Sequence, residues 1–289
     1  MSMWARFLSG KPADRKRLSG GGRTEAAGNT ATGWLKLLAL IFMFIDHSGK
    51  VLFNNLQGMR ILGRAAFPLY LWCMVVGFER TRSVPRYLFR ILLVGVISQP
   101  LYVLALDTQG HIGTIISEVA ADPDVLNRIF LVKPNVFLTL LLGLAALWGI
   151  REKKLLSQIW APALAIALAT SLKADYGWRG VTLLIMLYVS RNSRPAIASV
   201  MVAFFLFWGS SYPVFTSLFG VPIKLSSLPE WLNTPLNAFL RLETFALLSL
   251  PLILIRFPRD LRLPKWVSYA LYPGHLVLLI LLKIIFYGW

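Results

Sequence analysis

Asp46 and His47 place a carboxylate and an imidazole inside a stretch that is otherwise apolar, IFMFIDHSGKVLF at 41–53. An imidazole near a carboxylate can remove a proton from an amine or a hydroxyl at neutral pH. Imidazole can also act as a nucleophile that accepts an acyl group. Adjacent residues are about 100° apart around a helix, so these two side chains need not touch. Their chemistry therefore depends on which other residues meet them.

Further polar residues lie within or at the ends of other apolar stretches. They are Arg64, Gln99, Asn135, Asp175, Tyr176, Glu243, Tyr272 and His275. Arginine and amide donors can bind phosphates or stabilise a developing oxyanion. We interpret His47, Asp46 and His275 as catalytic candidates, and the other seven as candidates for substrate binding.

The composition predicts a membrane protein. Of the 289 residues, 56% are hydrophobic, whereas about 45–50% are apolar in a typical soluble protein. The apolar residues form blocks close to the roughly 20 helical residues that cross a hydrocarbon core. The net charge of +17 could indicate nucleic-acid binding, but the basic residues lie in short loops between the apolar blocks. The positive-inside rule explains that pattern with no nucleic acid, so we expect a lipid bilayer as the partner.

Charged residues and Pro/Gly breaks divide the apolar sequence into about nine predicted helices of an all-α, polytopic fold. Their bounds are roughly 34–54, 61–78, 87–106, 135–150, 156–173, 177–190, 196–218, 238–256 and 267–287. Two of them are short, which leaves the count open by one. Residues 1–33 are polar, Gly-rich and basic and predict a disordered cytoplasmic tail ahead of one transmembrane domain, 34–289. The first apolar run continues without a small-residue cleavage site, so we expect it to be retained as the first span.

Loop charge predicts the orientation of these helices. Four basic segments follow alternate predicted helices, at 79–86, 151–154, 191–194 and 256–265. The loops between them carry few cations, and the longest, 107–133, contains four acidic residues. By the positive-inside rule the N-terminus and the basic segments are cytoplasmic. The candidate site residues then fall into one layer in the outer half of the membrane.

The cost of ionisable groups in hydrocarbon makes such a layer a functional candidate, because each costs several kcal/mol unless it is paired or hydrated. We interpret the layer as a water-accessible cavity, with hydrogen bonds that join helices as the alternative. Each residue also has a simpler interpretation. Asp46 and Lys50 can neutralise one another on one helix face, and Arg64 can extend to the interface. His47 can be a hydrogen-bonded core histidine, and His275 can satisfy a carbonyl freed by Pro273.

Cysteine and histidine spacing argues against two classes of site. The one cysteine, Cys73, excludes an intrachain disulfide and a cysteine-rich metal site. It lies in an apolar stretch, which favours plain packing. The three histidines, His47, His111 and His275, have no HxxxH-type spacing, so no metal site is predicted.

Five ordered motifs resemble the TraX family over about residues 34–289. They lie in LKLLALIFMFIDHSGK, in GRAAFPLYLWCMVVGF, in the SQP of ERTRSVPRYLFRILLVGVISQP, in ADYGWRGVTLLIMLY and in YALYPGHLVLLILLK. The matching motif positions are Asp46, His47, Arg64, Pro68, Gln99, Asp175, Tyr176, Tyr272, Pro273 and His275. The long basic tail and the extended 107–133 loop depart from the family pattern.

The resemblance implies an activity. TraX proteins are implicated in N-acetylating the amino terminus of conjugative F-type pilin, and they are related to membrane acyltransferases that modify extracytoplasmic sugars. The expectation is an inner-membrane acetyltransferase that uses acetyl-CoA as a donor substrate, with no bound cofactor, and a pilin subunit as acceptor. We expect His47 to be general base or transient acyl carrier, with Asp46 orienting it or balancing its charge. His275 is the second candidate for either role.

The remaining roles and the rival functions complete these expectations. Arg64, together with Gln99, is expected to hold the donor or the oxyanion, and Asp175 and Tyr176 to line the acceptor entrance. An O-acyltransferase acting on an envelope glycan would keep the chemistry and change the acceptor. A transporter should show inverted repeats with broken helices, which the sequence lacks. A non-catalytic pilus-assembly protein would tolerate loss of Asp46 and His47.

Overall fold

A computed structural model describes residues 26–107, 122, 134–218 and 221–287. Helices form nearly all of the regular structure in these ranges. The exception is a short antiparallel pair, Ser217–Leu218 (β1) and Val221–Pro222 (β2), with Ser217 opposite Pro222. The predicted all-α class is confirmed.

Eleven α-helices make up the described chain. In order they are α1 (Thr32–Val51), α2 (Gln57–Gly63), α3 (Ala66–Arg80), α4 (Val84–Tyr102), α5 (Val136–Arg151), α6 (Leu155–Ser171), α7 (Gly177–Ser190), α8 (Arg194–Gly209), α9 (Glu230–Phe239), α10 (Leu250–Leu254) and α11 (Lys265–Tyr287). A π-helical turn, Val103–Asp107, extends α4. Two 3₁₀ segments, Leu225–Ser227 and Leu242–Ser249, precede α9 and α10.

Three helical segments are long and apolar enough to cross a membrane: Gln57–Arg80, Val84–Leu106 and Trp266–Tyr287. Five shorter segments are also apolar: Val136–Arg151, Leu155–Ser171, Gly177–Ser190, Arg194–Gly209 and Leu242–Leu254. α1 has 20 residues, but Lys36, Asp46 and Lys50 lower its mean hydropathy, and it is not among these segments. The set is compatible with a membrane protein, while the number of spans and their orientation stay predictions.

Two predicted helices need correction. The predicted helix 196–218 ends early, because α8 stops at Gly209. The predicted helix 238–256 is broken, since α9 ends at Phe239 and a 3₁₀ segment begins at Leu242. Arg241 stabilises the break by donating hydrogen bonds to the carbonyls of Asn237, Ser210 and Tyr212. The break is therefore tied to the end of α8.

Segments that the sequence places on one side of the membrane gather at one end of the bundle, which we call the basic end. Arg191 Nε lies 3.1 Å from Glu79 Oε1, and Arg151 donates hydrogen bonds to carbonyls at the C-terminal end of α3. Arg256 donates to the carbonyl of Ala26. Loops 79–86, 151–154, 191–194 and 256–265 thus share one end, and we call the other the opposite end.

Residues 26–31 belong to the bundle at the basic end. Asn29 is fully buried; its backbone N–H donates to the carbonyl of Ile253 and its side chain to that of Leu252. The indole N–H of Trp72 donates to the Asn29 carbonyl at 2.7 Å. The predicted tail therefore stays a prediction for residues 1–25, which lie outside the described ranges, as do 108–121 and 123–133 of the predicted long loop.

α3 is the central helix, because 11 of its 15 residues are buried. α1, α7 and the 3₁₀ segment Leu242–Ser249 pack around it. α6 lies at the periphery, where only Ala165 and Ala169 are buried.

Candidate active site

The two predicted catalytic histidines meet, although they are 228 positions apart in the chain. His47 of α1 and His275 of α11 face each other with 3.0 Å between His47 Nδ1 and His275 Nε2. Their rings are nearly parallel, with an interplanar angle of 25° and centroids 5.2 Å apart. His275 is buried and His47 partly buried. A hydrogen bond between the two imidazoles fixes both rings.

The surroundings of His275 indicate which nitrogen carries each proton. The carbonyls of Leu271 and Tyr272 lie next to the His275 ring, although its Nδ1 forms no well-aligned hydrogen bond. Carbonyl oxygens only accept, so they favour a proton on His275 Nδ1 and a lone pair on Nε2. In this proton arrangement His47 donates its Nδ1–H to His275 Nε2. This tautomer leaves His47 Nε2 with a lone pair that can take a proton or attack a carbonyl carbon.

A buried ionic cluster lies beside the histidine pair. Arg64 Nη2 is 2.7 Å from both oxygens of Asp46, and Arg64 Nη1 is 3.1 Å from Glu243 Oε1. Arg60 Nε lies 3.0 Å from Asp46 Oδ1. The side chains of Arg64, Asp46 and Glu243 are 10%, 11% and 5% exposed. Two cations and two anions balance here, and they join α1, α2 and the 3₁₀ segment Leu242–Ser249.

Gly63 allows α1 and α2 to approach closely enough for these ion pairs. A Cβ atom at residue 63 would lie 2.1 Å from Asp46 Cβ and 2.7 Å from its Cα. Real Cβ atoms do not pack at such distances, so any side chain here must push the two helices apart. The ionic cluster therefore requires a residue without a side chain at position 63.

We expect Gly63→Ala to destabilise the protein by about 2 kcal/mol through overpacking. The measurement is the free energy of unfolding of purified protein in detergent. Gly274→Ala is the matched control, because a Cβ at this helical position meets nothing within 4 Å. Alanine has the higher helix propensity, so the control should be neutral or stabilising. Equal destabilisation by both changes would contradict the role given to Gly63.

The structure changes the expected roles of two predicted residues. Asp46 does not orient His47, because both its carboxylate oxygens accept from Arg64. Arg64 is engaged by Asp46 and Glu243 and does not line the cavity described below, so its expected contact with the donor is replaced by a packing role. Arg60 was missed, although its spacing of four from Arg64 places both on one helix face.

Gln99 and Asn135 join α4 to α5. Gln99 Oε1 accepts from the Asn135 backbone N–H at 2.8 Å. The Asn135 side chain caps α5 by accepting from the Phe137 N–H, and it donates to the Gly95 carbonyl at 2.9 Å. Neither residue lines the cavity. Their expected contact with substrate is replaced by helix capping, the ordinary role of asparagine at a helix start.

A cavity of about 240 Å³ runs along the histidine side of α1. At the basic end it is lined by Lys36, Cys73, Met74, Tyr87, Leu263, Ser268 and Tyr269. Nearer the opposite end it is lined by Asp46, His47, Gly63, Ala66, Tyr102, Val136, Asp175 and Tyr176. Between these lie Met43, Phe67, Tyr70, Ile91, Val94, Phe137, Leu140 and Tyr272. Lys36 and His47 are eleven residues apart on one helix, so the cavity extends about 16 Å along it.

An aromatic wall holds the predicted acceptor residues against this cavity. Phe67 and Tyr176 stack with centroids 3.7 Å apart and planes at 2°, and Trp208 packs edge-on to both rings. Tyr176 has φ +61°, a left-handed conformation that is rare for a tyrosine. Its backbone N–H donates to Asp175 Oδ1. Asp175, Tyr176 and Tyr272 all line the cavity, as expected of substrate-binding residues.

Several cavity residues were missed by sequence reasoning: Lys36, Phe67, Tyr70, Tyr87, Tyr102, Ser268 and Tyr269. Lys36, Met43 and His47 recur at spacings of seven and four residues, which places them on one helix face. Tyr269, Tyr272 and His275 recur at spacings of three. These two periodic faces were the available signal, and the tyrosines resembled ordinary aromatic packing.

Comparison with known proteins identifies relatives of the chain. A family model described as TraX protein matches residues 31–283. A curated protein of Dichelobacter nodosus, described as a probable fimbrial assembly protein FimC of serogroup H1, is 31% identical over 177 residues. The aligned part is 58% of this chain and 67% of that protein. No solved structure matches the chain.

Proposed function

The chain belongs to the TraX family, and from this premise we propose that it is a membrane acetyltransferase acting on the N-terminal amine of a pilin subunit. Membership of the family and the fimbrial assembly relative support a pilus-related membrane protein. One observation carries the proposed chemistry. His47 lines a cavity, and its Nδ1 lies 3.0 Å from His275 Nε2, which fixes the ring and leaves His47 Nε2 outside that hydrogen bond.

In the proposed reaction the amine nitrogen of the acceptor attacks the thioester carbonyl carbon of acetyl-CoA. His47 Nε2 removes the proton from that nitrogen, an amide bond forms, and the carbon–sulfur bond breaks to release CoA as its thiolate. His275 is a positioning residue, because it acts through His47. The phenols of Tyr176 and Tyr272 line the same cavity and can donate hydrogen bonds to the carbonyl oxygen as it becomes negative.

The proposed orientation places the basic end in the cytoplasm of a bacterial cell and the protein in the inner membrane as a multi-pass protein. The pilin amine then enters from the opposite end, past Asp175 and Tyr176. The same apparatus can serve a hydroxyl of an envelope glycan, so the acceptor is decided by what reaches His47.

The name of the relative favours a second candidate function. A protein described as taking part in fimbrial assembly need not transfer an acyl group. In that case the histidine pair and the ionic cluster would only hold helices together, and the protein would serve as a membrane part of the assembly apparatus. The two functions differ in whether acetyl-CoA is consumed.

The deciding experiment incubates purified protein in detergent with radiolabelled acetyl-CoA and a peptide that carries the pilin N-terminus. We expect label on the peptide, and none on the same peptide with a blocked amine. Label on an added envelope glycan and not on the peptide would favour the O-acyltransferase. Label on neither would favour the assembly protein. Label retained by the protein without acceptor, and lost in His47→Ala, would assign His47 as acyl carrier.

A further inference from the structure

We propose that the cavity, from its basic end to His47, is the binding site of an acyl-CoA donor. Its phosphates would lie at Lys36 and Arg90, and its thioester arm would extend to His47. The inference rests on the proposed function, since it names the site of that reaction's donor. Lys36 and Arg90 replace Arg64 as the expected contacts of the donor, because the Arg64 guanidinium is engaged by two carboxylates.

One cation lines the basic end of the cavity, and a second packs against Tyr269, a residue of the cavity wall. Lys36 lines the cavity, and no ion pair engages it within the described ranges. Arg90 packs over Tyr269, with its guanidinium carbon 5.8 Å from the ring centroid. Its Nε is buried and has no hydrogen-bond partner in the part of the chain that the structure describes. A lysine and an arginine with donors to spare are suited to phosphate oxygens.

The walls beyond these cations match a chain that alternates methylene groups and amides. Met43, Met74, Ile91, Val94 and Leu140 supply apolar surface. Four residues that carry hydroxyl groups line the same part of the cavity: Tyr70, Tyr87, Ser268 and Tyr269. A plain hydrocarbon chain would leave these hydroxyls without partners, whereas a pantetheine arm offers two amides and a hydroxyl.

The length of the cavity matches the length of that arm. Lys36 and His47 lie about 16 Å apart along α1. A pantetheine arm has about a dozen bonds between phosphate and sulfur, which span about 15 Å when extended. With the phosphates at Lys36, the thioester therefore arrives at His47. The nucleotide stays at the basic end, and only the acyl group reaches the layer that holds Asp175 and Tyr176.

Binding of CoA and of pantetheine, which lacks the phosphates, tests this site in purified protein. We expect Lys36→Gln and Arg90→Gln each to weaken CoA binding about tenfold and to leave pantetheine binding unchanged. Lys154→Gln is the matched control, because Lys154 is an exposed cation at the same end and should leave both unchanged. Unaltered CoA binding in both cavity variants, or an equal loss of pantetheine binding, would overturn the proposal.

Cys73 reports whether the ligand enters the cavity, because it is the one cysteine of the chain and lines the basic end of the cavity. Saturating CoA should slow its labelling by a maleimide, and Lys36→Gln should require about tenfold more CoA for the same protection. CoA that binds without changing the labelling rate overturns the inferred path. CoA binding and protection without any acetyl transfer would refute the proposed function and retain the site. Acetyl transfer together with unaltered CoA binding in the Lys36→Gln and Arg90→Gln variants would refute the site and retain the proposed function.

Discussion

Replacing His47 by alanine should leave pilin unacetylated at its N-terminus in cells that express the variant. In the proposed reaction the imidazole takes the amine proton, and removing a general base costs about 10²–10⁴ in rate. We do not expect His275 to take over as general base, because His275 does not line the cavity. Mass spectrometry of the purified pilin measures the fraction of acetylated N-termini directly.

Two histidine variants control this experiment. His111→Ala makes the same side-chain change at a residue outside the described ranges, and it should leave the acetylated fraction unchanged. His275→Ala should lower that fraction less than His47→Ala, because it frees the His47 ring without removing it. A fully acetylated pilin in the His47→Ala strain would remove this residue from the mechanism.

Replacing Asp46 by asparagine should destabilise the protein by about 3 kcal/mol, the lower end of the cost of breaking a buried ion pair. The change leaves two arginines with one carboxylate, and the unbalanced charge is buried beside α1. The lower end applies because Arg60 is 21% exposed and keeps some water. The measurement is the free energy of unfolding of purified protein in detergent.

A partly exposed ion pair provides the comparison. Glu79→Gln breaks the ion pair with Arg191. The Glu79 side chain is 21% exposed and that of Arg191 is 18% exposed, so the change should cost less than about 1 kcal/mol. Adding Arg60→Gln to Asp46→Asn should recover part of the loss, because it removes the excess charge while Arg64 keeps Glu243. Equal effects of Asp46→Asn and Glu79→Gln would show that burial of the cluster has no energetic weight.

The meeting of His47 and His275 could be predicted from sequence because of the cost of polar groups in lipid. Each lies on a predicted helix at a depth fixed by the basic loops, and the same depth held Arg64, Glu243 and Asp175. Polar side chains at one depth of a helix bundle avoid the lipid by facing the interior, where they pair with each other. The positive-inside pattern was thus enough to identify a shared layer.

The partners within that layer could not be predicted, because depth says nothing about rotation of one helix against the next. Asp46 had Lys50 on its own helix face as a candidate, yet the structure gives it Arg60 and Arg64 from α2. The choice depends on Gly63, whose missing side chain brings the helices together. A close contact of this kind is visible only in three dimensions.

Helix ends misled the sequence reasoning in a second way. Gln99 and Asn135 were assigned to the site because they are polar and lie at the right depth. The start of α5 has backbone N–H groups to satisfy, and Asn135 satisfies one of them while Gln99 holds Asn135 in place. Polar residues at the ends of short apolar helices serve capping and catalysis alike, and composition does not separate the two.

The burial of Asn29 determines where foreign sequence can be joined to this protein. Its amide and carbonyl groups connect Trp72, Leu252 and Ile253, so the chain is anchored just ahead of α1. An affinity tag or reporter fused ahead of residue 26 leaves those bonds intact. A truncation that continues through Asn29 removes the partner of the Trp72 indole in the most buried helix, which sets the practical limit for shortening the protein from its N-terminal side.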